Sequence, residues 1–541
     1  MLSQIFQRKV AKTQSRKDSF SFLIASLLLC VFALNAFLAS CGSKSADLRS
    51  FIPADSLVYL ESNDLGAVMN AITERPAFRE AANEIPDSSV LNGVKLAVAV
   101  TGFETKEVPV TGENSVLNFT PRFVAVLETN AWNFQAIRFT EEKLGAFIND
   151  VYGGEVLLES SDKHDGKYYV WKADDGRRAF ALVQGSVVFF GNDETAIERC
   201  LAVKRGEAES IAKNPKIISG DRLAFGYISP DGIAQIANIA GLSMAKSSSE
   251  EAEVQSFVAR VVPEILRNSL RDATWTATKS DEGITDSFSI SMNPEISSVL
   301  NETLVPLPKT SGIFTSLNFG GAVAVTRYNL RDPRLAWRSV LLSAGKATDP
   351  ASGGLVVAFA SSLFEPYGIE NGEEFLSAVE PEILTVRFED SGENVAVIAK
   401  VKDAAAFEQS IAKELRDVKS KEERSDSRSI RRSADDELML VTQSSGVVII
   451  GDAEFVQRLI YASAANTGSA KIFSSDAAAA TYGTDKSATS VVDVITELKT
   501  ETPMTSTYFT ETRFNRNGIE RRTISDFGFI GWVIEQFGMR E

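Results

Sequence analysis

Four apolar residues, a glycine, an acidic turn and a helical pattern occur together twice in this 541-residue chain. The copies are Val187-Val-Phe-Phe-Gly-Asn-Asp-Glu-Thr-Ala-Ile-Glu-Arg199 and Val447-Val-Ile-Ile-Gly-Asp-Ala-Glu-Phe-Val-Gln-Arg458. The apolar run predicts a strand, and glycine lets the chain bend where the strand stops. The following Asn or Asp accepts from the free amides that open a helix. Each copy follows an Asp-rich turn and a further strand: Asp174-Asp-Gly before Ala179 to Val183, and Asp435-Asp-Glu before Leu438 to Val441. A unit that recurs at this distance constrains the fold before composition does.

Other segments recur in the same order. Phe123-Val-Ala-Val-Leu-Glu-Thr-Asn and Val395-Ala-Val-Ile-Ala-Lys-Val-Lys-Asp each lead into a helix. Ala224-Phe-Gly-Tyr-Ile-Ser with Asp231 to Ala240 matches Ala480-Thr-Tyr-Gly-Thr-Asp with Ala488 to Leu498. A hairpin from Thr274 with Gly283 near its turn answers one from Thr507 with Gly518. A glycine there supplies the positive φ of a tight hairpin. The expected fold is α+β in two similar tandem halves, residues 51–300 and 305–541, with a seam near Pro294 to Lys309. Each half is expected to be a mostly antiparallel or mixed sheet with helices packed on one side. The clearest helix is Lys402 to Leu415, with Asp403 as cap and Phe407, Ile411 and Leu415 on one face.

The first forty residues obey different rules. Arg8, Lys9, Lys12, Arg16 and Lys17 precede an apolar run from Ser21 to Leu34, and small residues then lead to Cys41. Charge, apolar run and small side chains in that order make a secretory signal. Leu38-Ala39-Ser40-Cys41 resembles the lipobox of bacterial lipoproteins, in which the cysteine is lipidated and becomes the mature N-terminus. The resemblance implies a signal peptide over 1–40, a tether over 41–50, and a membrane partner reached through acyl chains at Cys41. The alternative is an uncut signal-anchor helix over Phe20 to Ala39, about the minimum bilayer span. Asn35 interrupts that run and no second basic cluster follows it, which favours cleavage. Both readings put the body of the chain outside the cytoplasm. Gly42 after the cysteine resembles the pattern of lipoproteins sent to an outer membrane, where the envelope has two.

Removing 1–40 removes five basic residues and one acidic residue, so 56 − 5 = 51 basic and 72 − 1 = 71 acidic residues remain, a net charge of −20. Nucleic-acid binding needs clustered Lys and Arg, and an exported domain this acidic is not expected to provide it. Cys30 leaves with the leader and Cys41 carries lipid, so Cys200 stands alone and no internal disulfide is expected. Cys200 falls in a helical pattern and reads as a buried structural thiol. The opening of the mature chain, Ile52-Pro-Ala-Asp-Ser-Leu-Val-Tyr-Leu-Glu-Ser-Asn-Asp-Leu, is similar to that of an uncharacterised family of exported bacterial proteins. That likeness implies a fold class and a location, and no chemistry.

Catalytic patterns are sparse. His164, the sole histidine, lies in a polar turn, and no Gly-x-Ser-x-Gly elbow accompanies it. A typical zinc-type site wants two or three His or Cys ligands, so no metal or cofactor is expected. Asp174-Asp175, Asp435-Asp436 and Glu373-Glu374 imitate carboxylate pairs but fall in turns. Asp64, Asp193, Asp403 and Asp452 at strand-to-helix junctions read as helix caps. Gly320-Gly321 and Gly353-Gly354 lack a P-loop Lys-Ser/Thr and read as turns. Lys419 to Arg432 and Lys246 to Glu253 read as solvated loops. The functional expectation is a lipid-anchored, exported, non-enzymatic binding or envelope-structural protein whose protein or small-molecule partner is unknown. The alternatives are a carboxylate hydrolase at the junction of the halves and a periplasmic chaperone or assembly factor, the last requiring an exposed apolar patch.

Overall fold

The computed structural model describes residues 47–75, 91–111, 114–153, 156–218, 220–248, 252–281, 283–307, 319, 322–388, 395–417, 428–464, 490–499 and 505–531. The chain is mixed α+β. In order it runs β1 (Val58–Ser62), α1 (Leu65–Thr73), β2 (Lys95–Thr111), β3 (Asn114–Glu128), α2 (Asn133–Phe139), α3 (Gly145–Tyr152) and β4 (Leu157–Lys163). Next come β5 (Gly166–Lys172), β6 (Arg178–Gln184), β7 (Val187–Gly191), α4 (Glu194–Lys204), β8 (Ala224–Ile228), α5 (Pro230–Ser248) and α6 (Ala252–Ser269). The hairpin β9 (Leu270–Ser280) and β10 (Gly283–Met292) leads to α7 (Pro294–Thr303), β11 (Ala324–Asn329), α8 (Pro333–Lys346) and α9 (Pro350–Phe359). Then follow α10 (Gly372–Ala378), β12 (Val379–Arg387), β13 (Ala396–Val401), α11 (Ala404–Ser410), β14 (Arg416–Asp417) and β15 (Arg428–Arg432). The last elements are β16 (Leu438–Gln443), β17 (Val447–Asp452), α12 (Ala453–Ala464), β18 (Val492–Lys499), β19 (Thr505–Asn515) and β20 (Gly518–Ser525). No described helix is long and apolar enough to cross a membrane.

By contact the described residues form two bodies. The first holds residues up to 235, 272–288 and those from 526, and the second holds 236–271 and 289–525. In the first body the antiparallel ladder runs β4-β5-β6-β7-β3-β2-β1-β8-β9-β10. Strands β2, β3 and β6 are apolar at successive positions because both faces are covered. Leu96, Val98, Phe123 and Ala125 pack with Leu65 of α1, Ala136 of α2 and Phe147 of α3. The alternate residues Ala97, Ala99, Val124 and Val126 pack on the other face with Ile197, Cys200 and Leu201 of α4. Helices therefore lie on both sides of this sheet, not one. A short unbroken apolar run marks that two-sided burial, and Leu96-Ala-Val-Ala-Val100 is such a run.

The second body pairs its strands in the same succession: β14-β15-β16-β17-β13-β12-β11-β18-β19-β20, again antiparallel. One face buries Leu384, Ile398 and Ile449 against Phe455, Val456 and Leu459 of α12. The other buries Ile383, Val397 and Val448 against Phe375 of α10 and Phe407 of α11. Gly283 and Gly518 open the second strand of equivalent hairpins at φ 150° and 144°, as the turn chemistry requires.

Four further expectations change. The helix over Lys402 to Leu415 stops at Ser410; Ile411 turns extended and bridges Ile369, although Phe407, Ile411 and Leu415 are all buried. Val492–Lys499 is strand β18, paired to β11, so Ala488 to Leu498 is not the counterpart of the helix Asp231 to Ala240. The β-branched residues Val491, Val492, Val494 and Ile495 favour the strand. Gly353-Gly354 lies inside α9, where Gly353 approaches Gly345 of α8, and not in a turn; Gly320-Gly321 lies outside the described residues. Arg428–Arg432 is strand β15, and Lys246 to Ser248 ends α5, so the two stretches read as loops are in part regular structure. Pro294 begins α7 under an Asn293 cap.

Candidate functional site

Leu38, Ala39, Ser40 and Cys41 lie outside the described residues. Description begins at Asp47, which caps a single helical turn and pairs with Arg49 at 2.8 Å. The turn is seated by packing: Leu48 and Ile52 are buried with Tyr59, Ile197 and Ile211. It is also seated by the backbone, with Ile211 N donating to Ile52 O at 2.9 Å and Ala54 N to Glu209 O at 2.9 Å. The Phe51 ring meets Phe189 edge-on, centroids 5.9 Å apart. Asp47, the first described residue, lies six residues after Cys41.

The four junction aspartates act as caps. Asp64 accepts from Ala67 N at 3.0 Å, Asp193 from Thr195 N at 3.1 Å, Asp403 from Ala405 N and Ala406 N, and Asp452 from Phe455 N at 3.2 Å. Asn192, beside Asp193, does other work. Its amide accepts from Phe123 N and donates to Pro121 O, both at 2.9 Å, clipping β3 to the end of β7.

The catalytic look-alikes are dispersed. His164 and Asp165 have φ 55° and 57° and form the two-residue turn between β4 and β5. Asp174 and Asp175 lie in the β5–β6 turn, and Asp175 is held by Arg177, whose hydrogen bonds keep its carboxyl below the usual range. Asp435 and Asp436 occupy the β15–β16 turn, where hydrogen bonds from Ser433 and the Glu437 amide depress Asp435. Glu373 and Glu374 sit in the first turn of α10, and Glu373 is bound by Arg338. Cys200 is fully buried, and burial pushes its thiol up to about 12. Among the described residues no three or more of His, Cys, Asp and Glu cluster as metal ligands.

Sequence reasoning missed the buried charges. Glu61 and Arg327 occupy corresponding positions on β1 and β11, each two residues past an apolar core residue, Tyr59 or Val325. Glu61 accepts from Arg222 Nη2 at 2.6 Å and from the Tyr59 hydroxyl at 2.7 Å, while the Arg222 guanidinium lies 3.9 Å from the Phe225 ring centroid. Arg327 reverses the sign: its Nη2 is 2.6 Å from Asp493 Oδ2 and its Nη1 3.8 Å from Glu382. Burial raises the Asp493 carboxyl, and Arg327 opposes that rise. Alternation along β11 was the available signal, because it puts Arg327 on the face of Val325.

A further buried carboxylate, Asp286, lies in the first body. Asp286 accepts from Trp275 Nε1 at 2.8 Å and from Phe529 N at 2.7 Å, holding residues 527–531 against the β9–β10 hairpin. Burial pushes its carboxyl up to about 6. Trp275 and Phe288 stack, and Phe529 meets both edge-on. Each of these groups faces a protein partner. Comparison with family models, curated proteins and solved structures finds no match to this chain.

Proposed function

We propose that this chain is a lipid-anchored exported protein, held at the membrane through Cys41, that serves as a binding or envelope-structural module and not as an enzyme. The leader carries the reading: basic residues, an apolar run and Leu38-Ala39-Ser40-Cys41 in that order. Acyl chains contribute about 0.8 kcal/mol per buried methylene, so more than one chain gives a stable anchor. The matching succession of strand pairings supports reading the two bodies as products of one duplicated unit. Metabolic labelling with a fatty-acid analogue tests the anchor. The wild type takes up label and Cys41→Ala does not; label retained in the variant refutes it.

A second reading, binding of apolar segments by a chaperone or assembly factor, has one specific support. Leu355, Val357 and Phe359 of α9 and the following Leu363 are exposed, and no charged residue stands between Asp349 and Glu365. Neighbouring α8 exposes Leu335 and Leu342. Leu355 and Phe359, four residues apart, share one face of α9, and exposed apolar surface marks interaction sites where it is contiguous. An apolar dye that brightens on the native chain, and dims with Leu355→Ser and Phe359→Ser, supports this reading; no brightening removes it.

A further inference from the structure

We infer that residues 526–531 are a proton-tightened clasp: Asp286 holds this strap on the β9–β10 hairpin of the first body, and the strap lets go locally once that carboxyl is ionised. The inference does not depend on the anchor at Cys41. The strap has its own seat. Phe527 and Ile530 are buried, yet neither belongs to the core on either face of the sheet. The Phe529 ring meets the stacked Trp275 and Phe288 rings edge-on, with centroids 5.7 and 6.4 Å away. Gly528, at φ 64°, passes so close to the hairpin that a Cβ there would stand 2.5 Å from Ile284 Cγ2. Both polar contacts converge on one carboxylate: Phe529 N donates to Asp286 Oδ2 at 2.7 Å and Trp275 Nε1 to Oδ1 at 2.8 Å.

Asp286 is 1% exposed, and burial outweighs its two hydrogen bonds. The charged groups on the elements around it are Arg271, Asp272 and Lys279 of β9, Asp281 of the turn, Asp526 of the strap, and Glu74 and Arg75 just past α1. Asp272 is taken by Lys216 and Glu74 by Lys279, while Arg75 donates to Ser280 O and acts on Asp526. Among the described residues none of these charges shifts the Asp286 carboxyl, which is pushed up to about 6. Lifting the strap removes the Phe529 donor and admits water, so the carboxyl returns toward its ordinary value of about 4. The seated strap therefore binds the proton more tightly than the lifted one. Seating is strongest below about pH 4, weakens on the order of 100-fold as pH rises to about 6, and then levels off.

Hydrogen exchange of the full chain in mild detergent, corrected for the intrinsic pH dependence of amide exchange, reads the clasp directly. Protection of the 526–531 amides is expected to fall on the order of 100-fold between pH 4 and pH 7, with no such fall in β6. Asp286→Asn is expected to abolish the fall. Trp275→Phe keeps a ring against Phe288 and Phe529 but removes a donor to the ionised carboxyl, so the midpoint of the fall is expected to move upward. Strap protection that ignores pH in the wild type, or that falls alike in Asp286→Asn, overturns the inference. So does a strap that exchanges only together with β6, or a midpoint that stays in place in Trp275→Phe.

Discussion

Arg327 on β11 and Asp493 on β18 face each other across the ladder, 2.6 Å apart and both fully buried. Their desolvation is large, so the pair is held by geometry and by Glu382 alongside. Arg327→Met leaves two carboxylates buried without their cation and is predicted to cost about 3–5 kcal/mol in urea unfolding. Arg327→Met with Asp493→Leu is predicted to recover part of that loss. A double variant worse than the sum of the singles contradicts the pairing.

Gly191 and Gly451 stand at the same point of their bodies, opposite Val124 and Ala396. In each a Cβ would lie 2.3 Å from a carbonyl oxygen, of Phe123 or of Val395. Backbone cannot yield as a flexible side chain does, so Gly191→Ala and Gly451→Ala are each predicted to destabilise by about 1–3 kcal/mol. Gly354 in α9 has nothing within 4 Å, and Gly354→Ala is predicted to stabilise by about 0.5–1 kcal/mol through helix propensity. Thermal melting of the three variants distinguishes these signs.

Asp286 gives stability a pH signature. Its folded pKa of about 6 exceeds the unfolded value, so the fold binds the proton more tightly between roughly pH 4 and 6. Its contribution is fully present below that window and is lost as pH rises through it, by on the order of 3 kcal/mol. Other carboxylates, such as Asp47 and Glu373, are shifted down and act oppositely. The difference between wild type and Asp286→Asn is therefore the readout. It is predicted to change across pH 4–6 and to be flat above pH 7; a pH-independent difference contradicts the assignment.

Cys200 is predicted to be silent toward thiol reagents at pH 8, since burial both shields the sulfur and holds it protonated. Reaction with an aromatic disulfide reagent should appear only as denaturant unfolds the first body. Rapid labelling of the native chain would contradict the packing around α4.

The sequence announced its strand-to-helix junctions because capping is local: Asp64, Asp193, Asp403 and Asp452 need only neighbours two or three residues away. The β7–α4 and β17–α12 units were legible for the same reason. Helices on both sheet faces were written in the unbroken apolar runs of β2 and β3, yet such a run does not name what covers each face. Strand β18 was misplaced because its identity depends on β11, more than 160 residues away in the chain. The Glu61 and Arg327 sites were invisible for a related reason. A charged residue in a strand looks solvated until its counter-ion, from Arg222 or Asp493, arrives through tertiary structure.

The anchor at Cys41 is tested most directly by the intact mass of the mature chain extracted from its membrane with mild detergent. The predicted result is a chain starting at residue 41, heavier than its polypeptide by acyl and glyceryl groups that map to the first proteolytic fragment. A chain that retains residues 1–40, or that begins at Cys41 with no added mass, contradicts it.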